Sequence, residues 1–389
     1  MDKPGLGSAK VGSQPDMLDP SAYIRAARLG LFVPRYEPSN PDGRAWPWVQ
    51  QDGETDLRGV IDALGRSKYH QEASVVTVSR VVARRPVFLI DLDDGKSLLL
   101  KWLSDTDGYP PNEVVLHQII SEESRSSRLR KAVPRLLDYD PAQGLLIFEG
   151  VRGASTLRQL VESGPAPSDA ILIHLAAVLA ALHETSISAA RERYPDRRLL
   201  PPIQPMTDLT PSELARGPGL QYADYVAAVQ AVDRELQALC IDWSPTALIH
   251  FDARDDNILI KQGSSHDTIP VFLVDWELAG FGDPAYDVGT VIGQLIYHAL
   301  RNLTVDQAAE LVIPRRGVSL FIRSYTQLAG NPPVDLPVRA VRYAGIFLLM
   351  RALATLQVAG ALGPAGKLCL LLGPRFIAHP AVSAEQVLL

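Results

Sequence analysis

The feature that most constrains the fold is a change of hydrophobic pattern near residue 150. Before it, apolar residues form short runs rich in valine, isoleucine and leucine, at 74–82, 87–92 and 97–103. Such runs, separated by turn residues, predict antiparallel strands. After it, leucines recur at spacings of three and four residues, which predicts helices. The chain is therefore predicted to be an α+β protein, with a small antiparallel sheet followed by a larger helical region.

The pattern divides the chain into three predicted parts. Residues 1–60 are rich in glycine, proline, serine and aspartate and predict a partly ordered extension. Residues 61–150 hold the predicted sheet and one helix. Residues 151–389 hold the predicted helices, a proline-rich loop at 194–219, and two short strands within 247–275.

Composition argues against several classes of function. A formal net charge of −6 provides no field that would attract nucleic acid or an anionic membrane. Cys240 and Cys369 are too few for a disulfide framework or a zinc site, and the first residues show no apolar signal segment, so a cytoplasmic location is expected. The apolar segment 344–362 carries Arg351 in its middle, which favours a buried helix over a membrane span.

Several common catalytic signatures are missing from the sequence. It has no G-x-x-x-x-G-K-[ST] phosphate loop, no G-x-G-x-x-G, no G-x-S-x-G and no H-E-x-x-H. The usual sequence evidence for a Walker-type nucleotide site, a dinucleotide enzyme, a serine hydrolase or a zinc protease is therefore missing. What remains is a set of acidic and amide side chains between residues 250 and 287.

Two loops carry this set. Asp252 and Asn257 lie five residues apart in a loop that enters a strand, and Asp275 ends the next apolar strand. Mg²⁺ prefers oxygen ligands from one or two side chains together with substrate phosphates, and phosphoryl transfer needs a further carboxylate to orient the attacking hydroxyl. Singly, such residues are more often turn formers that satisfy local backbone groups. Together, H-x-D-x-x-x-x-N and a strand-terminal aspartate match the catalytic-loop arrangement of kinases.

The strings HFDARDDN at 250–257 and VDWELAGFGDPAYDVG at 274–289 resemble those of the aminoglycoside phosphotransferase and choline kinase superfamily, the small-molecule relatives of protein kinases. The resemblance is specific over about 250–290, is supported over about 75–185, and is absent from both ends of the chain. It implies a bilobal protein-kinase-like fold, in which a sheet-rich N-lobe binds the nucleotide and a helical C-lobe carries the catalytic loop and the acceptor site. It also implies a kinase that uses ATP and Mg²⁺ and has an alcohol group as acceptor.

The resemblance further implies roles for individual C-lobe residues. Asp252 is expected to be the catalytic base. Asn257 and Asp275 are expected to bind Mg²⁺. His250 and Asp287 are expected to support the catalytic loop.

Arg254 lies where related kinases often carry a cation near the transferred phosphate, and a guanidinium there could neutralise developing charge. The alternative is a surface ion pair with Asp255 or Asp256. Phe251 departs from the family pattern, which usually has a small residue after the catalytic-loop histidine.

In the predicted N-lobe, Lys101 closes the third strand and is expected to reach the α and β phosphates. A lone lysine on an otherwise apolar strand is unusual unless it is functional. Glu113 in the following helix is its expected partner, with Glu122 and Glu123 as competing candidates.

The hinge after the fifth strand is expected to bind adenine through its backbone, with Glu149 and Val151 as the nucleotide-binding residues. The family's glycine-containing loop between the first two strands has no glycine here, at 82–87. Phosphate contact at that loop is therefore expected from Arg84 or Arg85, or to be weak.

The charge of the chain after residue 300 narrows the chemical class of the acceptor. After residue 300 the chain has nine Lys or Arg residues and four Asp or Glu residues, a balance of +5, whereas a polycationic aminoglycoside needs carboxylates. Kinases of class V lanthipeptide and thioamitide biosynthesis carry similar D-x-R-x-D-N and D-W-E strings. The resemblance therefore favours Ser or Thr of a precursor peptide, with a partner enzyme in the same pathway. The alternatives are a small-molecule kinase, acting on a neutral or anionic alcohol or an aminoglycoside, and a nucleotide-binding scaffold that presents a peptide to another enzyme.

Overall fold

The structure of the protein is a computed structural model, which describes residues 75–81, 87–103, 112–123, 127–164, 166–185, 198–203, 220–261, 269–301 and 314–388. The predicted extension at 1–60 lies outside the described residues, as do Arg84, Arg85 and most of the proline-rich loop.

The predicted antiparallel sheet is confirmed. It has the order β1-β2-β3-β5-β4, and every neighbouring pair is antiparallel. Phe88 pairs with Leu100 and Ile90 pairs with Leu98, and all four side chains are buried on one face of the sheet. The strands are β1 (Val75–Val81), β2 (Val87–Leu92), β3 (Ser97–Trp102), β4 (Leu136–Asp140) and β5 (Leu145–Glu149).

Two helices lie between β3 and β4 in the chain, α1 (Asn112–Glu123) and α2 (Ser127–Ala132). The first residue of α1 connects the sheet region to the helical region. Asn112 donates hydrogen bonds from Nδ2 to the backbone oxygens of Glu277, at 2.6 Å, and Ala279, at 2.9 Å. This contact fixes the N-lobe helix against the loop that carries Asp275.

The region after residue 150 is mostly helical, as the leucine spacing predicts. A buried core of aliphatic and aromatic side chains runs through it. Its described helices are α3 (Leu157–Ser163), α4 (Asp169–His183), α5 (Leu220–Gln230), α6 (Asp233–Ile241), α7 (Pro284–Arg301), α8 (Arg315–Leu328), α9 (Leu336–Ala359), α10 (Pro364–Ala378) and α11 (Pro380–Leu388), and its described strands are β6 (Ala154–Thr156), β7 (Ala247–Ile249), β8 (Ile258–Lys261), β9 (Val271–Leu273) and β10 (Gly280–Gly282).

The predicted number of strands between residues 247 and 275 was wrong. Three short strands, rather than two, lie between residues 247 and 275, and β10 follows them. They form one sheet in the order β6-β8-β9 and a second that pairs β7 with β10. Strands of three or four residues are too short to show a readable alternation of polar and apolar side chains. The loops that follow β7 and β9 carry the predicted catalytic residues.

Helices α7 and α9 pack closely because α7 has glycines at their contact. A Cβ atom added to Gly289 would lie 2.5 Å from the backbone oxygen of Ala340 and from Cβ of Tyr343. Among the described residues, α9 is the one helix that is long and apolar enough to cross a membrane. However, 72% of its most apolar stretch is buried inside the fold. It is therefore the central helix of the C-lobe core.

Candidate active site

Asp287, in the first turn of α7, holds the loop that follows β7. Its carboxylate is fully buried and accepts hydrogen bonds from the backbone N–H groups of His250, at 2.7 Å, and Phe251, at 2.9 Å. His183 Nε2 lies 3.2 Å from the same carboxylate, and its Nδ1 lies 2.7 Å from the hydroxyl of Tyr325. One buried carboxylate thus fixes the start of the catalytic loop to two helices.

Two residues beside the site adopt left-handed backbone conformations without being glycine. Phe251 has φ 65° and Asp275 has φ 66°. Such conformations cost about 1–3 kcal/mol and persist where the surrounding structure enforces them. At Phe251 the enforcement comes from Asp287, which bonds the N–H groups of both residues 250 and 251. The conformation directs the chain sharply into Asp252.

Asp252 is surrounded by donors. Arg254 pairs with both of its carboxylate oxygens, through Nε and through Nη2, the latter at 2.9 Å. Asn257 Nδ2 donates to Asp252 Oδ2 at 2.9 Å and to its backbone oxygen at 3.0 Å. Burial raises the pKa of the Asp252 carboxyl, and the neighbouring Arg254 only partly opposes this. Arg254 is paired with Asp252 itself, whereas the expected alternative was a pair with Asp255 or Asp256.

Val274 brings the two predicted loops together. Its N–H donates to the backbone oxygen of Asn257 at 3.0 Å, and its carbonyl lies 3.0 Å from His250 Nε2. The His250 ring also packs against Trp276, with ring centroids 4.6 Å apart. Asp275 is the next residue after Val274, and its carboxylate contacts Lys101 Nζ.

Lys101 joins the two lobes at this point. Its Nζ lies 2.7 Å from Glu113 Oε2, contacts Asp275 Oδ1, and lies 3.6 Å from Glu277 Oε2. Burial alone would lower the pKa of this ammonium group, but the three carboxylates outweigh it and raise the pKa. Burial raises the pKa of Glu113, against the attraction of Lys101. Glu113 also accepts a hydrogen bond from the backbone N–H of Trp276 at 3.3 Å.

The donor set fits Mg²⁺ better than a softer metal. Asn257 uses its amide nitrogen on Asp252, so its carbonyl oxygen would be the ligand atom, and Asp275 would contribute a carboxylate. Among the described residues no group of three His, Cys, Asp or Glu side chains could hold a metal ion. Two oxygen donors without a closed protein cage are what a magnesium ion shared with substrate phosphates requires.

The predicted hinge lies at the end of β5. The N–H of Glu149 donates to the backbone oxygen of Arg135 at 2.9 Å, and the N–H of Gly150 donates to the backbone oxygen of Ser97 at 2.7 Å. A Cβ atom at Gly150 would lie 2.8 Å from Ser97, so this close approach needs glycine. The N–H of Val151 has no hydrogen-bond partner among the described residues, and it is therefore the hinge donor that remains for a ligand.

Sequence reasoning missed Gln294 and His298, which contact the catalytic loop from α7. Gln294 donates from Nε2 to the backbone oxygen of Ala253 at 2.8 Å and accepts from the N–H of Asp255. His298 Nε2 lies 2.9 Å from Asp255, which Arg158 also binds, at 3.1 Å. Burial would raise the pKa of Asp255, but His298 and Arg158 hold it well below its usual range. The sequence does carry a signal for these two residues, because both are polar and lie four residues apart on a helix that is otherwise mostly apolar.

Glu277 and His183 were also missed. Glu277 was visible in the string DWE, yet only the structure shows it 3.6 Å from Lys101. His183 is the last residue of an apolar helix, where nothing in the sequence indicates its contact with Asp287.

The family model of the phosphotransferase enzyme family matches residues 83–317, which is more than half of the chain and includes every site residue named above except Tyr325. The chain belongs to the phosphotransferase enzyme family. It is a kinase-type phosphotransferase with a hydroxyl group as acceptor, and the predicted superfamily is confirmed.

Solved structures confirm the predicted fold. A choline/ethanolamine kinase family protein from Mesorhizobium loti superimposes with a TM-score of 0.51 at 17% identity, covering 84% of this chain and 97% of its own. The GDP complex of aminoglycoside 2′-phosphotransferase-IIIa superimposes with a TM-score of 0.50 at 17% identity, covering 84% of this chain and 99% of its own. No curated protein sequence matches the chain. At these identities the likeness shows the bilobal, protein-kinase-like fold alone and leaves the acceptor open.

Proposed function

We propose that this phosphotransferase transfers the γ-phosphoryl group of ATP, with Mg²⁺, to Ser or Thr of a peptide. The observation that carries the chemistry is the meeting of Lys101 from the sheet with Asp252, Asn257 and Asp275 from two C-lobe loops. In this proposal the N-lobe, residues 61–150, binds the nucleotide, and the C-lobe, residues 151–389, carries the catalytic loop and the acceptor site.

Asp252 acts as the base. The raised pKa of its buried carboxyl suits it to accept the proton of the attacking hydroxyl. Arg254 and Asn257 hold the carboxylate in one orientation, so little reorganisation is needed when the hydroxyl approaches. Arg254 also places a positive charge beside the transferred phosphoryl group.

Lys101 and the two oxygen ligands position the phosphates. Asn257 and Asp275 would hold Mg²⁺, which supplies charge neutralisation at the β and γ phosphates. Lys101 binds the α and β phosphates while Glu113 keeps it oriented. The hinge at Glu149 and Val151 binds adenine through its backbone. His250 and Asp287 keep the catalytic loop in place.

A peptide acceptor is supported by the charge of the chain after residue 300. The +5 balance after residue 300 does not suit a polycationic aminoglycoside. Arg315 and Arg316 begin α8, and Arg316 is 85% exposed with an ion pair to Asp169 at 2.7 Å. Exposed cations of this kind would guide an acidic or neutral peptide. A small neutral or anionic alcohol is the second candidate, because the same charge favours it. The complete set of acids disfavours a scaffold that only presents a peptide to a partner enzyme.

The test is to incubate the purified chain with ATP, Mg²⁺ and a panel of Ser and Thr peptides, small alcohols and kanamycin, followed by mass spectrometry for an added phosphoryl group. We expect modification of a peptide, and none with Asp252→Asn as the matched control. Efficient modification of kanamycin alone would contradict the charge argument. ATP binding without transfer to any hydroxyl would support the scaffold instead.

A further inference from the structure

Arg351, in α9, is a partly buried cation that lacks a counterion among the described residues. Its guanidinium carbon lies 4.7 Å from the centroid of the Tyr297 ring. No described carboxylate lies within 4.0 Å of it, and its buried Nε has no hydrogen-bond partner there. A buried donor without a partner lowers stability, and a bound ligand or a buried water would remove that cost.

Three other partly buried arginines of the C-lobe are neutralised. Arg158 lies 2.8 Å from Asp256, Arg254 pairs with Asp252, and Arg339 lies 3.4 Å from Asp283. Arg342, like Arg351, has a buried Nε without a partner among the described residues. It precedes Arg351 by nine residues, however, which places it on the opposite side of α9.

Helix α7 places Arg351 beside the catalytic loop. Gln294 and His298 of α7 contact the backbone of Ala253 and the carboxylate of Asp255. Tyr297, between them in the chain, carries Arg351 on its ring.

The contact with Tyr297 places Arg351 near the same loop, because Tyr297 is next in the chain to His298, whose Nε2 lies 2.9 Å from Asp255. The side chain of Asp256 is 38% exposed and directly precedes Asn257. Because Lys101 and the hinge put the nucleotide toward the N-lobe, the acceptor must approach the loop from this C-lobe side.

We propose that Arg351 binds a carboxylate on the hydroxyl acceptor and thereby selects anionic acceptors; this rests on the proposed phosphoryl transfer to a hydroxyl. Stacking on Tyr297 occupies the flat face of the guanidinium group and restricts its movement. Because Nε is buried, the terminal Nη1 and Nη2 atoms would make a two-point contact with a carboxylate. The carboxylate comes either from an acidic residue beside the Ser or Thr of a peptide, or from the acceptor's own acid group when it is a small hydroxy acid.

Isosteric probes test this selection. The first pair is a Ser peptide flanked by Glu and the same peptide flanked by Gln; the second pair is N-acetylserine and its amide. We expect the carboxylate member of the accepted pair to have a kcat/KM about tenfold to hundredfold higher than the amide member, the range of a charged hydrogen bond. Preference between the pairs identifies the source of the carboxylate.

Variants assign the effect to Arg351. Arg351→Gln is expected to bring the carboxylate probe down to the level of its amide, with ATP affinity retained as the check on folding. Tyr297→Phe should keep the preference because the ring remains, and Tyr297→Leu should weaken it. Arg375→Gln, which removes an exposed arginine of α10 elsewhere in the same lobe, is the matched control and should keep wild-type selectivity.

The outcomes separate the two proposals. Equal transfer by the wild type to both members of a pair overturns the role of Arg351 and leaves the phosphotransferase proposal intact. If no hydroxyl receives phosphate, the proposed transfer fails, and calorimetric titration of the Glu peptide decides on Arg351 alone. Binding weakened at least tenfold in Arg351→Gln would support the carboxylate site, and no binding to the wild type would overturn it.

Discussion

Replacing Asp287 with Asn should test two roles of this carboxylate, which are to stabilise the C-lobe and to position the catalytic loop. The native carboxylate accepts from the N–H groups of residues 250 and 251, at 2.7 and 2.9 Å, and lies 3.2 Å from His183. An amide of the same size has one oxygen acceptor, and its NH₂ group faces a donor. At least one buried N–H therefore loses its partner.

The expected loss can be worked from these contacts. An unsatisfied buried donor costs about 1–3 kcal/mol, and a hydrogen bond to a charged group contributes about 1.5–3 kcal/mol. Because the two values describe the same contact from different reference states, they do not add, and we expect the free energy of unfolding to fall by about 1.5–3 kcal/mol. The left-handed conformation of Phe251, at φ 65°, would lose its enforcement, and a shift of about 1 Å in Asp252 reduces kcat by about 100-fold.

Urea unfolding and steady-state kinetics measure the two effects. Asp335→Asn is the control, because Asp335 is 63% exposed and its ion pair with Arg339, at 3.4 Å, lies on the surface. That variant should change the free energy of unfolding by less than about 1 kcal/mol. An Asp287→Asn enzyme with wild-type stability and wild-type kcat would refute the view that this carboxylate holds the loop.

Four further predictions follow from the site. Asp275→Ala should abolish phosphoryl transfer because the metal contributes several kcal/mol to the transition state; wild-type turnover at saturating Mg²⁺ would assign Asp275 a structural role. Asp252→Asn should lose kcat yet keep ATP affinity in calorimetry, and lost ATP binding would contradict its role as base. Reversing Arg315 and Arg316 to Glu should raise the peptide KM and flatten its salt dependence while the ATP KM stays constant, since screening reaches about 8 Å at physiological ionic strength. In the folded chain, burial and the charge of Lys101 lower the pKa of His117, in α1, to about 3. Below about pH 6.5 the unfolded chain therefore binds one proton more than the folded chain. The free energy of unfolding should then fall by about 1.4 kcal/mol per pH unit as the pH drops toward 3. Urea unfolding at pH 7 and pH 5.5 should show a smaller difference for His117→Phe than for the wild type, and an equal difference would contradict this.

Sequence alone determined the local chemistry. Short apolar runs with β-branched residues specified the N-lobe strands, because strand and helix periodicities differ and each run is long enough to display one of them. The spacing of Asp252 and Asn257 was also informative, since a short loop keeps residues five apart within reach of each other, and Asn257 does donate to Asp252 at 2.9 Å. Strands of three residues and the turn that divides Leu220–Ile241 into two helices carried no such signal.

Only the tertiary structure decided which distant groups meet. Lys101 contacts Asp275 across 174 residues of chain, and Glu113 reaches the backbone of Trp276 across 163. Gln294 and His183 reached the site, and Arg351 reached the Tyr297 ring, through the packing of α4, α7 and α9, where close approach depends on glycine positions and side-chain volumes summed over whole helices. Periodicity fixes which face of a helix is buried, but it leaves open which neighbour covers that face. The counterions of the catalytic loop, and the lack of a counterion for Arg351 among the described residues, therefore became visible only in the folded chain.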